Sequence, residues 1–135
     1  MRKIVRLLGA VAVAVSLAAC GGVASPSSQT PDDFSGTLDP LGQTFKTFSV
    51  NKTGEMQITL QSLTPRPVVG FVALAVGQPV GNGCQPLPGY IVSQAAVGQQ
   101  YAFPQISKAT YCMLIIDANA ILTTSVTFSI RMYHP

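Results

Sequence analysis

The chain has no tryptophan, a single histidine (His134) and a single glutamate (Glu55), and only a tenth of its 135 residues are charged. Each shortage excludes some chemistry. His134 is penultimate, where chain ends fray, so a surface side chain is expected there rather than a general base. Glu55 falls on the polar face of an alternating segment and reads as solvated, not as half of a carboxylate pair. No G-x-S-x-G, H-E-x-x-H or phosphate-cradling glycine loop occurs. Asp117-Ala118-Asn119 begins like a calcium loop but lacks the other ligands and the closing glutamate. A turn is the better reading, since Asp and Asn bond their own backbone there. No catalytic residue, metal ligand or cofactor is expected. A small hydrolase built on the aspartates and His134 is the poorest of the available readings.

Long apolar runs are scarce as well, and the one that stands out lies at the start. Arg2, Lys3 and Arg6 precede Leu7 to Leu17, interrupted only by Gly9 and Ser16, and Ala18-Ala19-Cys20-Gly21-Gly22 follows. Basic, apolar and small segments in that order are the layout of a secretory signal peptide. The run ends after about 13 residues, short of the roughly 20 that a spanning helix needs. Cys20, directly after Leu17-Ala18-Ala19, resembles the lipobox of bacterial lipoproteins, in which the sulfur receives a diacylglyceryl group and cleavage exposes the cysteine amine. The alternative is an incidental small residue beside an ordinary cleavage site. The resemblance implies a membrane anchor at Cys20 and a cell-envelope location. Several acyl chains suit that role, because one chain alone binds only marginally. Gly21, rather than Asp, after the cysteine implies the outer membrane if the host is Gram-negative.

Without Arg2, Lys3 and Arg6, five basic residues face five acidic ones, and the mature chain is neutral. The excess of positive charge belongs to the leader. No electrostatic footprint for nucleic acid remains.

Three segments follow: residues 1–19 as signal peptide, expected to be helical; 20–35 as lipidated cysteine and flexible tether; and 36–135 as one domain. The tether, GGVASPSSQTPDDFS from Gly21, is too poor in apolar residues to offset its chain entropy. In the domain the hydrophobic period is two. Met56, Ile58 and Leu60 alternate with Glu55, Gln57, Thr59 and Gln61; Val126, Phe128, Ile130 and Met132 alternate with Thr127, Ser129, Arg131 and Tyr133. Val68 to Val76 and Tyr111 to Ile116 are apolar on both faces and read as central strands. Phe45 to Val50 is a further strand, closed by the turn Asn51-Lys52-Thr53-Gly54. Ten prolines and twelve glycines punctuate the chain, and no mature window keeps helical spacing. The pattern predicts an all-β fold, an antiparallel, jelly-roll-like β-sandwich. Gly77 to Gly89, GQPVGNGCQPLPG, is expected to be a long loop.

In an oxidising compartment Cys84 and Cys112 are expected to join in a disulfide, closing a loop of nearly thirty residues and stapling the long loop to an apolar strand. The competing readings are two buried free thiols or a metal site, and a metal site lacks enough ligands, since no CxxC occurs and His134 is the only histidine. Tyr111 suits either a corner tyrosine, bonding a loop carbonyl, or plain core packing. Tyr90 and Tyr101 flank the uncharged IVSQAAVGQQ and are the candidate ligand contacts, since tyrosines beside neutral polar groups can stack on sugars.

With strands and cysteines placed, the mature domain resembles the bacterial pre-peptidase C-terminal domain, a β-sandwich appended to secreted peptidases. The resemblance rests on Phe34-Ser35-Gly36-Thr37-Leu38, on Gly42 to Val50, on Gly54 through Leu60, on Ala109 to Ile116 and on Val126 to Ile130. Ala109 stands where that family has glycine, and Pro67-Val68-Val69-Gly70-Phe71 replaces an Asp-rich strand, so metal binding is not implied. The resemblance implies a non-catalytic module for protein interaction, adhesion or targeting. An envelope protein is the expected partner, with a neutral polysaccharide or peptidoglycan as the alternative.

Overall fold

A computed structural model describes residues 28–135. Cys20 and the signal segment lie outside the described residues. Eight strands follow in order: β1 (Thr30–Leu38), β2 (Gln43–Val50), β3 (Gly54–Thr64), β4 (Val72–Val80), β5 (Gly83–Ala95), β6 (Gln100–Ile106), β7 (Ala109–Ile116) and β8 (Val126–His134). They form two four-stranded sheets, β1-β8-β3-β6 and β2-β7-β4-β5, and every paired neighbour is antiparallel. The strand order is that of a jelly roll, the architecture the period-two pattern predicts.

The inward residues of both sheets meet in one core. Phe34, Met56, Ile58, Leu60, Ile130 and Met132 from the first sheet pack against Phe48, Val72, Leu74, Val76, Tyr111, Met113 and Ile115 from the second. The alternation holds best in β8, where Val126, Phe128, Ile130, Met132 and His134 are buried and the residues between them are not. Phe34 and Phe128 meet edge to face, ring centroids 4.9 Å apart. The outer faces differ. Asp33, Ser35 and Thr37 line up with Arg131, Ser129 and Thr127 on the first sheet. On the second, the register sets Phe45, Leu114, Ala75 and Ile91 in a row across all four strands.

Four expectations need correction. The tether was expected to reach residue 35, but Thr30 to Ser35 are ordered as the first two-thirds of β1. Their backbone pairs along β8 from Thr30↔His134, and their carboxylates are held: Lys46 Nζ lies 2.6 Å from Asp32, and Arg131 grips Asp33 at 2.8 and 3.0 Å. Polar composition did not prevent ordering because every charge found a partner. The expected loop 77–89 is instead a hairpin, β4 turning into β5 at Gly81, whose φ of 56° suits glycine. Pro86 and Pro88 are tolerated because β5 is an edge strand. The apolar run from Val68 becomes strand only at Val72. His134 is 3% exposed rather than frayed, because β8 lies between β1 and β3; its ring stacks 5.1 Å from Phe48.

The expected Cys84–Cys112 disulfide is present. It ties the start of β5 to β7 across β4, passing beside Gly77, where a Cβ would lie 2.9 Å from Cys84 Sγ. A side chain at position 77 would also strike the carbonyl of Gln85, so glycine is required there.

Candidate functional site

Alternating strand direction sends the connections to two poles. The β2–β3, β4–β5 and β6–β7 connections, residues 51–53, 81–82 and 107–108, gather at one pole together with Thr30 and the chain's last residues. There the Asn51 N–H donates to the Pro135 carbonyl at 3.2 Å. The β1–β2, β3–β4, β5–β6 and β7–β8 connections, residues 39–42, 65–71, 96–99 and 117–125, gather at the other. The first pole has turns of two or three residues. The second, the loop pole, carries seven- and nine-residue loops.

Asp117 organises the loop pole. Its carboxylate accepts the N–H of Leu41 at 3.0 Å, of Ile121 at 2.9 Å and of Leu122 at 3.3 Å, and its own N–H donates to the Gly42 carbonyl at 3.0 Å. Burial opposes the charge on this 2% exposed group, but the three N–H donors outweigh it and hold the carboxyl below the ordinary aspartate range. Leu41 and Ala120, both non-glycine, adopt left-handed backbone (φ 58° and 53°) on either side of these bonds. The turn expected at Asp117-Ala118-Asn119 is thus present, and it also clamps the β1–β2 connection 76 residues away in sequence.

On this clamped base the β3–β4 loop projects. Val68 is 99% exposed, Val69 72% and Phe71 43%, and Leu41 at the neighbouring turn is 76% exposed. Exposed side chains of this size gathered at one end are what a docking surface looks like. Two open grooves flank the loop. One, about 250 Å³, runs between Arg66, Phe71 and the Ala96-Val97 turn; the other, about 270 Å³, between Val68, Val69 and the Ile121-to-Thr124 segment. Gly70, at φ 82°, lies against Ile121, so the loop tip rests on the β7–β8 loop.

The other sequence candidates sit elsewhere. Tyr90 and Tyr101 clasp the flank where edge strands β5 and β6 face each other. The Tyr90 hydroxyl donates to the Gln105 carbonyl, and its ring lies 5.3 Å from Phe103. The Tyr101 hydroxyl accepts the Ala96 N–H at 2.8 Å and donates to the Gln94 carbonyl at 3.3 Å. Tyr111 fills both roles considered for it, bonding the Ser107 carbonyl at 2.9 Å and packing 6.0 Å from Phe48. Glu55 accepts from Gln57 at 2.9 Å. Among the described residues no group of three His, Cys, Asp or Glu side chains is placed to hold a metal. Sequence reasoning missed the loop tip itself, because Val68-Val69 beside Val72 to Val76 reads as the start of a buried strand. The signal available was the Pro65-Arg66-Pro67 segment, which interrupts strand pairing before the valines.

No family model matches the chain, and no curated protein does. Among solved structures, the fold is similar to that of PliG from Aeromonas hydrophila, a periplasmic lysozyme inhibitor of g-type lysozyme. The two are 14% identical, with 78% of this chain and 87% of that one covered at a TM-score of 0.50. At that identity the likeness is one of fold.

Proposed function

We propose that this protein is a non-catalytic module of the cell envelope, lipid-anchored through Cys20, that binds a protein partner through its loop pole. The observation that carries the reading is the projection of Val68, Val69, Phe71 and Leu41 from a clamped base. Isolated apolar side chains on a surface need no explanation, but four at one pole, three of them lining grooves, do. The similar fold of a protein titled an inhibitor of g-type lysozyme supports a protein partner and an envelope setting, and makes such a lysozyme the first partner to try. The resemblance to pre-peptidase C-terminal domains read from the sequence would imply the same non-catalytic role. The rings of Tyr90 and Tyr101, on which a neutral glycan would stack, are packed against the core, that of Tyr90 5.3 Å from Phe103, which favours protein over sugar.

Chain direction fits the anchor to this role. Seven residues lie between Cys20 and Ser28, a reach of about 28 Å at most. The chain then enters β1 at the pole of His134 and runs nine residues, about 30 Å, before it arrives at the loop pole. A lipid on Cys20 therefore leaves the loop pole as the end farthest along the fold from the attachment.

Two measurements test the reading. Radiolabelled palmitate should enter the protein in its native host and not enter Cys20→Ala; equal labelling of both removes the anchor. A photo-crosslinking benzoylphenylalanine at Val69 should give a discrete protein adduct in the native envelope, while the same group at exposed Ser35 on the polar sheet should not. No adduct at Val69, or equal adducts at both, overturns the docking pole.

A further inference from the structure

Three ionisable residues occur on the loop pole's projecting segments: Asp39, Asp117 and Arg66. The two acids are occupied. Asp117 is spent on its three N–H donors, and Asp39 accepts the Ser125 hydroxyl at 2.5 Å. Arg66 is exposed, forms no ion pair or side-chain hydrogen bond among the described residues, and borders both grooves. Its neighbours Pro65 and Pro67 each have a fixed φ, so the backbone that carries it is stiff and little entropy remains to be lost on docking. The loop pole is thus an apolar ridge with one uncommitted guanidinium at its foot.

Resting on the reading above that this pole binds a protein, we infer that the partner presents an acidic cleft: apolar walls that receive Val68 and Val69, and a carboxylate that receives Arg66. The shape follows from exposure, since a tip that projects as far as Val68 needs a concave counterpart. The charge follows from electrostatic complementarity. An arginine desolvated at the foot of an apolar contact needs an anionic acceptor, and a carboxylate matches its planar fork with two parallel hydrogen bonds. Other occupants fit less well. A second copy docking pole to pole would bring two uncompensated Arg66 side chains together. An anionic membrane surface is held by clusters of four to eight basic residues, in the usual range of about 4–8, and this pole offers one. The anchored pole, moreover, is the opposite one.

The test uses the full-length lipoprotein in its native envelope with benzoylphenylalanine at Val69 as the probe. Arg66→Gln should cut the yield of the Val69 adduct about tenfold or more and Arg66→Glu should abolish it, whereas Arg66→Lys, which keeps charge but not the fork, should retain an intermediate yield. Raising salt from low to about 0.5 M should weaken the wild-type adduct and leave the residual Arg66→Gln adduct unchanged. An adduct that forms equally in wild type, Arg66→Gln and Arg66→Glu overturns the acidic cleft while leaving the docking pole standing. Absence of any adduct in the wild type overturns both. Thermal melts of each variant should match the wild type, because Arg66 holds nothing in the fold; a melt lowered by several degrees would contradict its free state and overturn the assignment.

Discussion

The two poles of the sandwich are made by the same eight strands, yet one is closed and the other is presented. At the closed pole the turns are short, the final residues fold under the β2–β3 turn, and His134 is buried against Phe48. A disulfide fixes the β4–β5 hairpin there to β7. At the loop pole no disulfide is made among the described residues. One buried carboxylate holds two connections in place, two non-glycine residues sit in left-handed backbone, and apolar side chains stand in water. The difference teaches that the sandwich concentrates stability at the end where the chain enters and spends it at the end that projects, as expected when a rigid scaffold carries functional loops.

Breaking the closed pole should have the largest effect on stability. Cys84→Ser with Cys112→Ser removes a 28-residue closure, and the chain-entropy model sets the loss at about 3–4 kcal/mol, read by urea unfolding. Adduct formation at Val69 should persist in this variant under native conditions, because the bridge lies at the other end.

Asp117→Ala comes next. It strips the acceptor from three N–H groups, and a loss of about 2–3 kcal/mol is expected by urea unfolding. Unlike loss of the disulfide, it should also weaken docking, since Leu41 and Ile121 would no longer be held. The same carboxylate gives the pole a pH signature. Its folded pKa lies below its unfolded value, so its contribution is complete above about pH 4 and is lost as pH falls through the folded value. Asp117→Asn should flatten that part of the acid limb, and an unchanged limb would count against the clamp.

Smaller still is the effect of the flanks. Lys46→Met opens the contact from β2 to Asp32 and the Asp33 carbonyl, and should cost no more than about 1 kcal/mol because the pair is partly exposed. Smallest of all in stability is Val68→Ser with Val69→Ser, expected within about 0.5 kcal/mol of wild type because both side chains already face water. Its effect on partner binding should be the largest of the series. A Val68→Ser, Val69→Ser variant that loses stability but keeps binding would reverse the assignment of the poles.

Much of the scaffold was legible in the residues alone. The alternation of Val126 to Met132 placed β8 because a half-buried strand leaves a period of two, and Cys84 with Cys112 read as a bridge once the leader implied an oxidising compartment. The β4–β5 hairpin was not legible. GQPVGNGCQPLPG carries every mark of a loop, and only its position on a sheet edge, with the disulfide beside Gly77, lets prolines and glycines sit in strands. His134 was misplaced for a related reason: a terminal residue is buried only if distant strands enclose it, and β1 and β3 do so from about 100 and 80 residues away. The loop tip was hidden because burial is inferred from hydrophobicity, and the exposed Val68 and Val69 break that inference. Asp117 was read as a turn former, which it is; its reach to Leu41 is a tertiary fact that local sequence does not carry.

The most direct test of the poles is hydrogen exchange on the full chain, free and bound to the partner identified through Val69. Protection should appear in the amides of residues 39–42, 65–71 and 117–125, with residues 51–53, 81–82 and 107–108 unchanged. Protection confined to the second set would place the partner at the closed pole and contradict the account.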